Sequence, residues 1–342
     1  MSYTRLEASD FVVSSDSVTA PAWSTFIPNL TTFYTASTGN NYYLDVYQVA
    51  ASSTNAAVQF SIAYGHYLGY GAAPINSLVT ANTPSRVNYG QYRNIAYGDN
   101  ESRFNFKTGN TASADMIAIQ IDRNRYKEAI YEGSLNLTLK NSTTYLKLTD
   151  DSLDTSVVSY LDCGRVYNIV SGSNGTAANS PYLTGAAQRG FTSSGSYGLF
   201  LPDVGLIILN PVALELSAAN GGIGASFIRT QGTSVNSQTN AKNVYEYIKG
   251  GGSFSLSSYE TISSNYLFLR VKNGDYNYST NPSYITGSGN LAFSNFIYNS
   301  QTYITTVGLY NDNNELLAVA KMSKPLPKDF TKESLIRVKL DW

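Results

Sequence analysis

Residues 302–321 read Thr-Tyr-Ile-Thr-Thr-Val-Gly-Leu-Tyr-Asn-Asp-Asn-Asn-Glu-Leu-Leu-Ala-Val-Ala-Lys. Two β-rich runs, 303–310 and 316–321, flank a polar turn at 311–314. Asn and Asp tolerate left-handed backbone angles and bond their own main chain, so the stretch predicts a β-hairpin. Ile304, Val307, Leu309 and Tyr310 in the first run, and Leu316, Leu317 and Val319 in the second, put apolar side chains on both sides of the pleat. The hairpin is therefore expected to be covered on two faces. Lys324-Pro325-Leu326-Pro327-Lys328 is expected to leave the ladder and cross over in extended form, because proline lacks the donor a ladder needs. The closing stretch 335–342 sets Ile336, Val338, Leu340 and Trp342 on one face and Arg337, Lys339 and Asp341 on the other. That period of two predicts a half-buried strand, with its terminal Trp342 tied into the fold or into a neighbour.

The remainder of the chain is also mostly strand-like. Residues 2–28 read as an extended arm with spaced anchors at Phe11, Val12, Val13, Trp23, Phe26 and Ile27. Residues 42–50 and 56–64 predict a hairpin turned at 52–55. Residues 65–110, with repeated Gly and Tyr, read as a long loop of the kind that carries function or assembly contacts. Strands are expected at 116–121, 135–140, 145–148, 166–170, 204–209 and 266–271. Short helices are expected at 123–132, at 211–219 after the Asn210-Pro211 start signal, and at 241–249 before Gly250-Gly251-Gly252. The stretches 172–198 and 272–291 read as loop. The fold class is mainly β, an α+β chain with few short helices. Its expected organisation is a β-sandwich-like core of residues 1–64 and 199–342, interrupted by a loop-rich β domain at 65–198.

Composition narrows the function. Charged residues are only 14% of the 342 and aromatics 13%, with 28 tyrosines. Abundant Tyr, Ser, Thr, Asn and Gly with few charges suits a turn-rich β protein, and equally a surface consumed by subunit contacts. A net charge of −1 marks the chain neither for nucleic acid nor for an anionic membrane. Two small basic groups (Arg123, Arg125, Lys127; and Lys321 to Lys339) are too sparse for a nucleic-acid footprint. The lone Cys163 excludes an internal disulfide or a multi-cysteine metal site. The start lacks the apolar core of a secretory signal, so the chain is expected to stay in a cytosol-like space or be released by lysis.

Motifs for chemistry are thin. The one histidine, His66, has no Gly-x-Ser-x-Gly elbow to serve, and reads as a polar loop residue; Cys163 reads as a small buried side chain. Asp150, Asp151 and Asp154, and likewise Asp99 and Glu101, could supply the carboxylate pair of a glycosidase, but read as solvated turn acids. Their spacing does not fit a calcium-binding loop, and Gly221-Gly222-Ile223-Gly224 lacks the lysine of a phosphate-binding loop. No catalytic residue, metal or cofactor is expected. Tyr- and Asn-rich loops at 64–97 and 276–284 suit either sugar stacking or adaptable protein contacts.

The stretches Gly274-Asp-Tyr-Asn-Tyr-Ser-Thr-Asn-Pro282, the hairpin at 302–321, Lys324-Pro-Leu-Pro-Lys328 and the closing basic/apolar strand together resemble virion structural proteins of large contractile-tailed bacteriophages. The run Val307-Gly-Leu-Tyr-Asn-Asp with Glu315-Leu-Leu-Ala-Val-Ala is similar to a module of tail-collar and baseplate-associated proteins. Tyr89-Gly-Gln-Tyr-Arg-Asn94 and Ile121-Asp-Arg-Asn-Arg-Tyr-Lys-Glu128 carry the same resemblance. It implies a non-enzymatic tail or baseplate component, present in multiple copies and joined to other tail proteins. Trp23, Tyr92, Tyr276, Tyr278, Tyr310 and Trp342 are the expected partner contacts. The alternatives are an adhesin that binds a host glycan, and a capsid or neck component.

Overall fold

The computed structural model of the chain describes residues 5–22, 42–50, 52–75, 82–106, 112–154, 158–178, 189–232, 234–277 and 282–341, with the backbone alone at 32–35 and 295. In chain order the strands are β1 (Phe11–Pro21), β2 (Thr32–Thr35), β3 (Leu44–Tyr47), β4 (Val58–His66), β5 (Asp115–Ile121), β6 (Ala129–Ile130), β7 (Asn136–Asn141), β8 (Thr144–Asp150) and β9 (Ser159–Leu161). They continue as β10 (Gly164–Ser173), β11 (Thr176–Ala177), β12 (Gly198–Leu201), β13 (Leu206–Leu209), β14 (Ser253–Ser255), β15 (Ser257–Val271), β16 (Thr302–Tyr310), β17 (Leu316–Lys328) and β18 (Ser334–Asp341). The helices are α1 (Pro84–Tyr97), α2 (Pro211–Glu215), α3 (Thr239–Gly251) and α4 (Asn295–Tyr298). The chain is mainly β, as its sequence pattern predicts.

The chain forms two compact units, Val18–Glu260 and the pair of segments Met1–Ser17 and Thr261–Trp342. This differs from the expected division at 65 and 198. The reason is the sheet of the larger unit, ordered β14-β7-β8-β10-β12-β13-β5-β4-β3-β2, which curls into a half-barrel. Its antiparallel ladder joins β4 to β5, β5 to β13 and β13 to β12, and so runs straight through both expected boundaries.

The central strands are apolar on both faces. In β5, Ile117, Ile119 and Ile121 face one core, while Met116 and Ala118 face the other. In β13, Ile207 and Leu209 join the first core and Leu206 and Ile208 the second. A strand buried on both faces needs cover on both. Ala241, Val244, Tyr245 and Ile248 of α3 cover the first face. Tyr89, Tyr92 and Ala96 of α1, with Phe104 and Phe106, cover the second.

Helix α1 corrects the reading of 65–110 as a loop. Thr83 caps it, accepting from the Arg86 amide at 3.3 Å, Pro84 opens it, and Gly98 ends it in the left-handed region at φ 68°. Its inner face is held by polar groups as much as apolar ones. The Tyr89 hydroxyl donates to the Ser113 carbonyl at 3.0 Å and accepts from the Phe104 amide at 3.2 Å. Asn88 Nδ2 donates to the Tyr64 carbonyl at 3.0 Å and to the Tyr42 carbonyl at 2.6 Å. The helix expected at 123–132 is also corrected. Only Arg123–Arg125 turns, after Asp122 accepts the Asn124 amide at 2.9 Å, and β6 then pairs with β15.

The smaller unit is a two-layer β-sandwich. A sheet ordered β1-β15-β18 forms one layer and the β16–β17 hairpin the other. Leu267 and Val271 of β15, Ile336 and Val338 of β18, and Val307 of β16 meet between the layers. The closing strand has the predicted phase, with Ile336 and Val338 inward and Arg337 and Lys339 outward beside the Tyr266 ring at 5.5 and 5.9 Å. The lysine–proline stretch does not cross over. Leu326 and Pro327 stay in β17 opposite Ile304 and Tyr303, and the chain bulges at 322–325 instead. A two-stranded sheet gives β17 an outer edge where proline costs no ladder bond.

Helix α1 approaches β4 most closely at Gly65, where an added Cβ would lie 2.9 Å from the Tyr89 amide nitrogen and 3.0 Å from its Cα. Gly65→Ala is therefore expected to wedge α1 away from the sheet. It should cost about 1–3 kcal/mol, read as a lower denaturant midpoint in equilibrium unfolding.

Candidate functional site

The larger unit contains two arginine-centred networks. Arg229 Nε donates to Asp115 Oδ2 at 2.7 Å, and its Nη1 donates to both oxygens of Glu215 at 2.6 and 2.7 Å. The Tyr64 hydroxyl adds a bond to Asp115 Oδ2 at 3.2 Å. Asp115 opens β5 directly opposite His66, the last residue of β4. His66 is not a loop residue at the surface: it is 3% exposed, with its ring 4.8 Å from Tyr70 and its Nδ1 accepting the Leu68 amide at 3.1 Å. Burial, and then the positive charge of Arg229, hold its pKa down to about 4. Burial raises the Asp115 carboxyl, with Arg229 pulling the other way.

The second network has the same form. Arg165 donates from Nε and Nη2 to Asp203 at 3.0 and 2.5 Å, and from Nη1 to both oxygens of Glu132 at 3.0 Å. Both guanidinium pKa values are raised further. For Arg165 the bonds to Asp203 lead; for Arg229 burial opposes the charge and the two carboxylates outweigh it. A guanidinium neither gives nor takes a proton at ordinary pH, and each fork holds its two carboxylates in one place. That suits a structural pin between loop, strand and helix. It does not suit an acid–base pair, which needs carboxylates of divided pKa open to a substrate.

Of the acids at 150–154, Asp150 and Asp151 are buried and not the solvated turn acids the sequence suggests, while Asp154 is an exposed turn residue. Asp150 is buried and accepts the Gly133 amide at 2.7 Å; burial raises its pKa. Asp151 accepts the Asn168 amide at 2.8 Å and its side-chain Nδ2 at 2.6 Å. Asp154 accepts the Ala177 amide at 2.5 Å. Each ties a turn to a neighbouring strand. Asp99 does behave as a turn acid, accepting the amides of Glu101 and Ser102. Cys163 is half-buried, and burial pushes its thiol pKa up, away from nucleophile character. Among the described residues, no group of three His, Cys, Asp or Glu side chains is placed to hold a metal ion. No helix among them is long and apolar enough to cross a membrane.

One cleft, of about 110 Å³, is lined by Tyr97, Asn105, Ser159, Leu161, Val166, Tyr167, Asn168 and Leu199. It is well below the ~300 Å³ or more that encloses a typical small-molecule ligand. Asn168, one of its amides, is already engaged by Asp151.

The expected contact residues divide three ways. Trp23, Tyr278 and Trp342 lie outside the described residues. Tyr92 is a correction: it lies on α1, is 8% exposed and packs in the core beneath that helix, where burial pushes its hydroxyl pKa up to about 12. Tyr276 and Tyr310 are both exposed and both belong to the smaller unit. Tyr276 holds a left-handed φ of 56°, and its carbonyl accepts the Thr302 hydroxyl at 2.6 Å.

What sequence reasoning missed is the outer surface of that unit. The hairpin is covered on one face only. Ile304, Val307, Leu309, Ala320 and Leu326 face the sandwich core. On the other side Leu317 is 68% exposed, Val319 57% and Tyr303 59%. Phe11, Val12 and Val13 of β1 are also exposed, as are Phe293, Ile297 and Tyr298 around α4. More than half of the exposed large apolar side chains among the described residues fall in this smaller unit. The signal was present as apolar residues on both faces of the hairpin. A two-layer unit can bury only one of them.

The same unit buries a lysine. Lys328, at the end of β17, has no exposed surface, and its ammonium donates to the Asn273 carbonyl at 2.8 Å, Asn277 Oδ1 at 3.0 Å and the Asp329 carbonyl at 2.9 Å. All three of its donors are satisfied, which is what makes the buried charge tolerable. The side chain thereby pins the loop after β15 to the end of the hairpin.

Two outcomes follow from these networks. A histidine held near pH 4 in the fold and near 6.5 in the unfolded chain binds fewer protons when folded. Its stabilising contribution is present above pH 6.5 and is lost as the pH falls toward 4, by up to about 3 kcal/mol. Thermal unfolding across that range should show a steeper loss for the wild type than for His66→Gln. Lys328→Met should strand the buried Asn277 Oδ1 and cost about 1–3 kcal/mol, measurable as a fall in unfolding midpoint at constant pH.

Comparison with known protein families, with curated proteins and with solved structures finds no match.

Proposed function

We propose that the chain is a non-enzymatic structural subunit of a larger assembly, a tail or baseplate component of a contractile-tailed bacteriophage virion. The observation that carries this reading is the outward face of the 302–328 hairpin. Leu317, Val319 and Tyr303 are exposed on a unit whose single core is already complete on the other side. Exposed apolar surface of this kind, concentrated rather than scattered, marks an interaction site. The exposed apolar residues of β1 extend the apolar character of the same unit. The resemblance of the hairpin, the Lys324–Lys328 stretch and the closing strand to phage virion proteins supplies the kind of assembly, and virion localisation with it. The arginine networks support a non-catalytic role, since their carboxylates are taken up in bonds to Arg165 and Arg229.

The subunit's mechanism is then geometric. The larger unit has cores on both faces of its sheet. The smaller unit carries the surface that neighbours cover, and burying it couples the subunit's order to assembly. A glycan-binding role draws less support. The cleft lined by Tyr97, Asn105 and Asn168 is small, and part of its hydrogen-bonding capacity is spent within the protein.

The test replaces two side chains of the outward face, which touch no core. Leu317→Lys with Val319→Lys should leave near-ultraviolet circular dichroism and unfolding midpoint close to wild type. Each residue, if buried by a neighbour, contributes about 1.5–3 kcal/mol, so incorporation into particles should fall at least about tenfold. Normal incorporation of a folded double variant would count against the reading.

A further inference from the structure

The two outer edges of the hairpin differ in kind. The β17 edge carries the exposed Lys321 and Lys324 together with Pro325 and Pro327. Lysine, proline and bulges are the means by which natural sheets protect an edge from pairing. β16 reads Thr-Tyr-Ile-Thr-Thr-Val-Gly-Leu-Tyr, nine residues with no charge and no proline, rich in β-branched and aromatic side chains. The distortion between the strands also falls on β17. Between the pairs Ile304–Leu326 and Thr306–Lys321, β16 contributes one residue and β17 contributes four. Among the described residues, β17 is the only strand with which β16 pairs.

We infer that the outer edge of β16 pairs antiparallel, about a two-fold axis, with β16 of a second copy of this chain. The two hairpins then form one four-stranded sheet. This rests on the reading of the smaller unit as an assembly module and names one partner for it. A second copy fits because self-pairing of β16 opposes no charges. Centred on Val307, it sets Thr306 against Gly308 of the other copy, pairs residues 304–310 of each, and adds a ladder of about 24 Å. Self-pairing of β17 centred between Met322 and Ser323 would instead set Lys321 against Lys324, an unfavourable like-charge contact. A two-fold axis normal to the sheet keeps the core-facing side of both hairpins on one side and the exposed Leu317 and Val319 of both on the other. The dimer so formed is isologous and closed, with the exposed apolar face doubled.

The test is sedimentation velocity of the full chain over a concentration series, with Thr305→Pro and Thr305→Lys as variants. Thr305 sits in the irregular stretch and faces no residue of β17, so neither change removes a β16–β17 pair. The wild type should show a monomer–dimer equilibrium. Both variants, folded by near-ultraviolet circular dichroism, should raise the dimer dissociation constant at least about tenfold. Should the proline variant fail to fold, the lysine variant carries the test by placing a charge on the pairing edge. A wild type that stays monomeric at its highest soluble concentration would overturn the inference, as would folded variants that associate like wild type. Either result leaves the assembly reading standing, because that is judged by particle incorporation of the Leu317→Lys, Val319→Lys variant. That variant should still dimerise, since it alters the face and not the edge.

Discussion

The larger unit depends on strands that have no side open to water. Every residue of β13 (Leu206–Leu209) is buried, so each of its amides and carbonyls must find a partner within the sheet. The ladders to β12 and β5 meet that demand, and they fix the order of the strands around them. Burial on both faces also requires two covering layers. The α1 layer and the α3 layer are therefore consequences of the same constraint. Gly65 belongs to it as well, because only a residue without a side chain lets α1 come down onto β4.

The smaller unit solves a lesser problem and leaves a remainder. Its two layers share one apolar core, and each layer keeps an outer face. On β18 that face is charged, with Arg337 and Lys339 beside the Tyr266 ring. On the hairpin it is apolar. The buried Lys328 ammonium, bonded to three oxygens, holds the end of the hairpin to the loop after β15. The outward face is thus presented on an anchored element. A unit that was complete alone would be expected to carry polar side chains where Leu317 and Val319 stand.

Much of this was legible in the sequence. Alternation located β18, because a half-buried strand writes its two faces into a period of two, and the polar turns at 52–55 and 311–314 located the β3–β4 and β16–β17 hairpins. The Gly-Gly-Gly stop located the end of α3. Helix α1 was hidden because Gly90 interrupts it and its anchors, Asn88 and Tyr89, act through hydrogen bonds that hydrophobic periodicity does not register. The unit boundaries were hidden because β4, β5, β12 and β13 pair across long separations, and composition changes at 65 and 198 do not reveal a shared ladder. The arginine networks were not legible either: Arg229 meets Asp115 from 114 positions away. His66 and Asp150 looked like surface residues because the sheet that buries them is built from strands far apart in sequence. The hairpin's apolar residues on both faces were read correctly as residues, but cover was assigned to a face that the unit itself does not cover.

The account rests on that face being covered in an assembled particle. Cryo-EM of contractile-tailed particles assembled in the presence of this chain tests it most directly. The account predicts density for the chain in the tail, with neighbouring subunits seated over Leu317, Val319 and Phe11–Val13. Absence of the chain from particles, or a particle in which that face stands open to solvent, would contradict it.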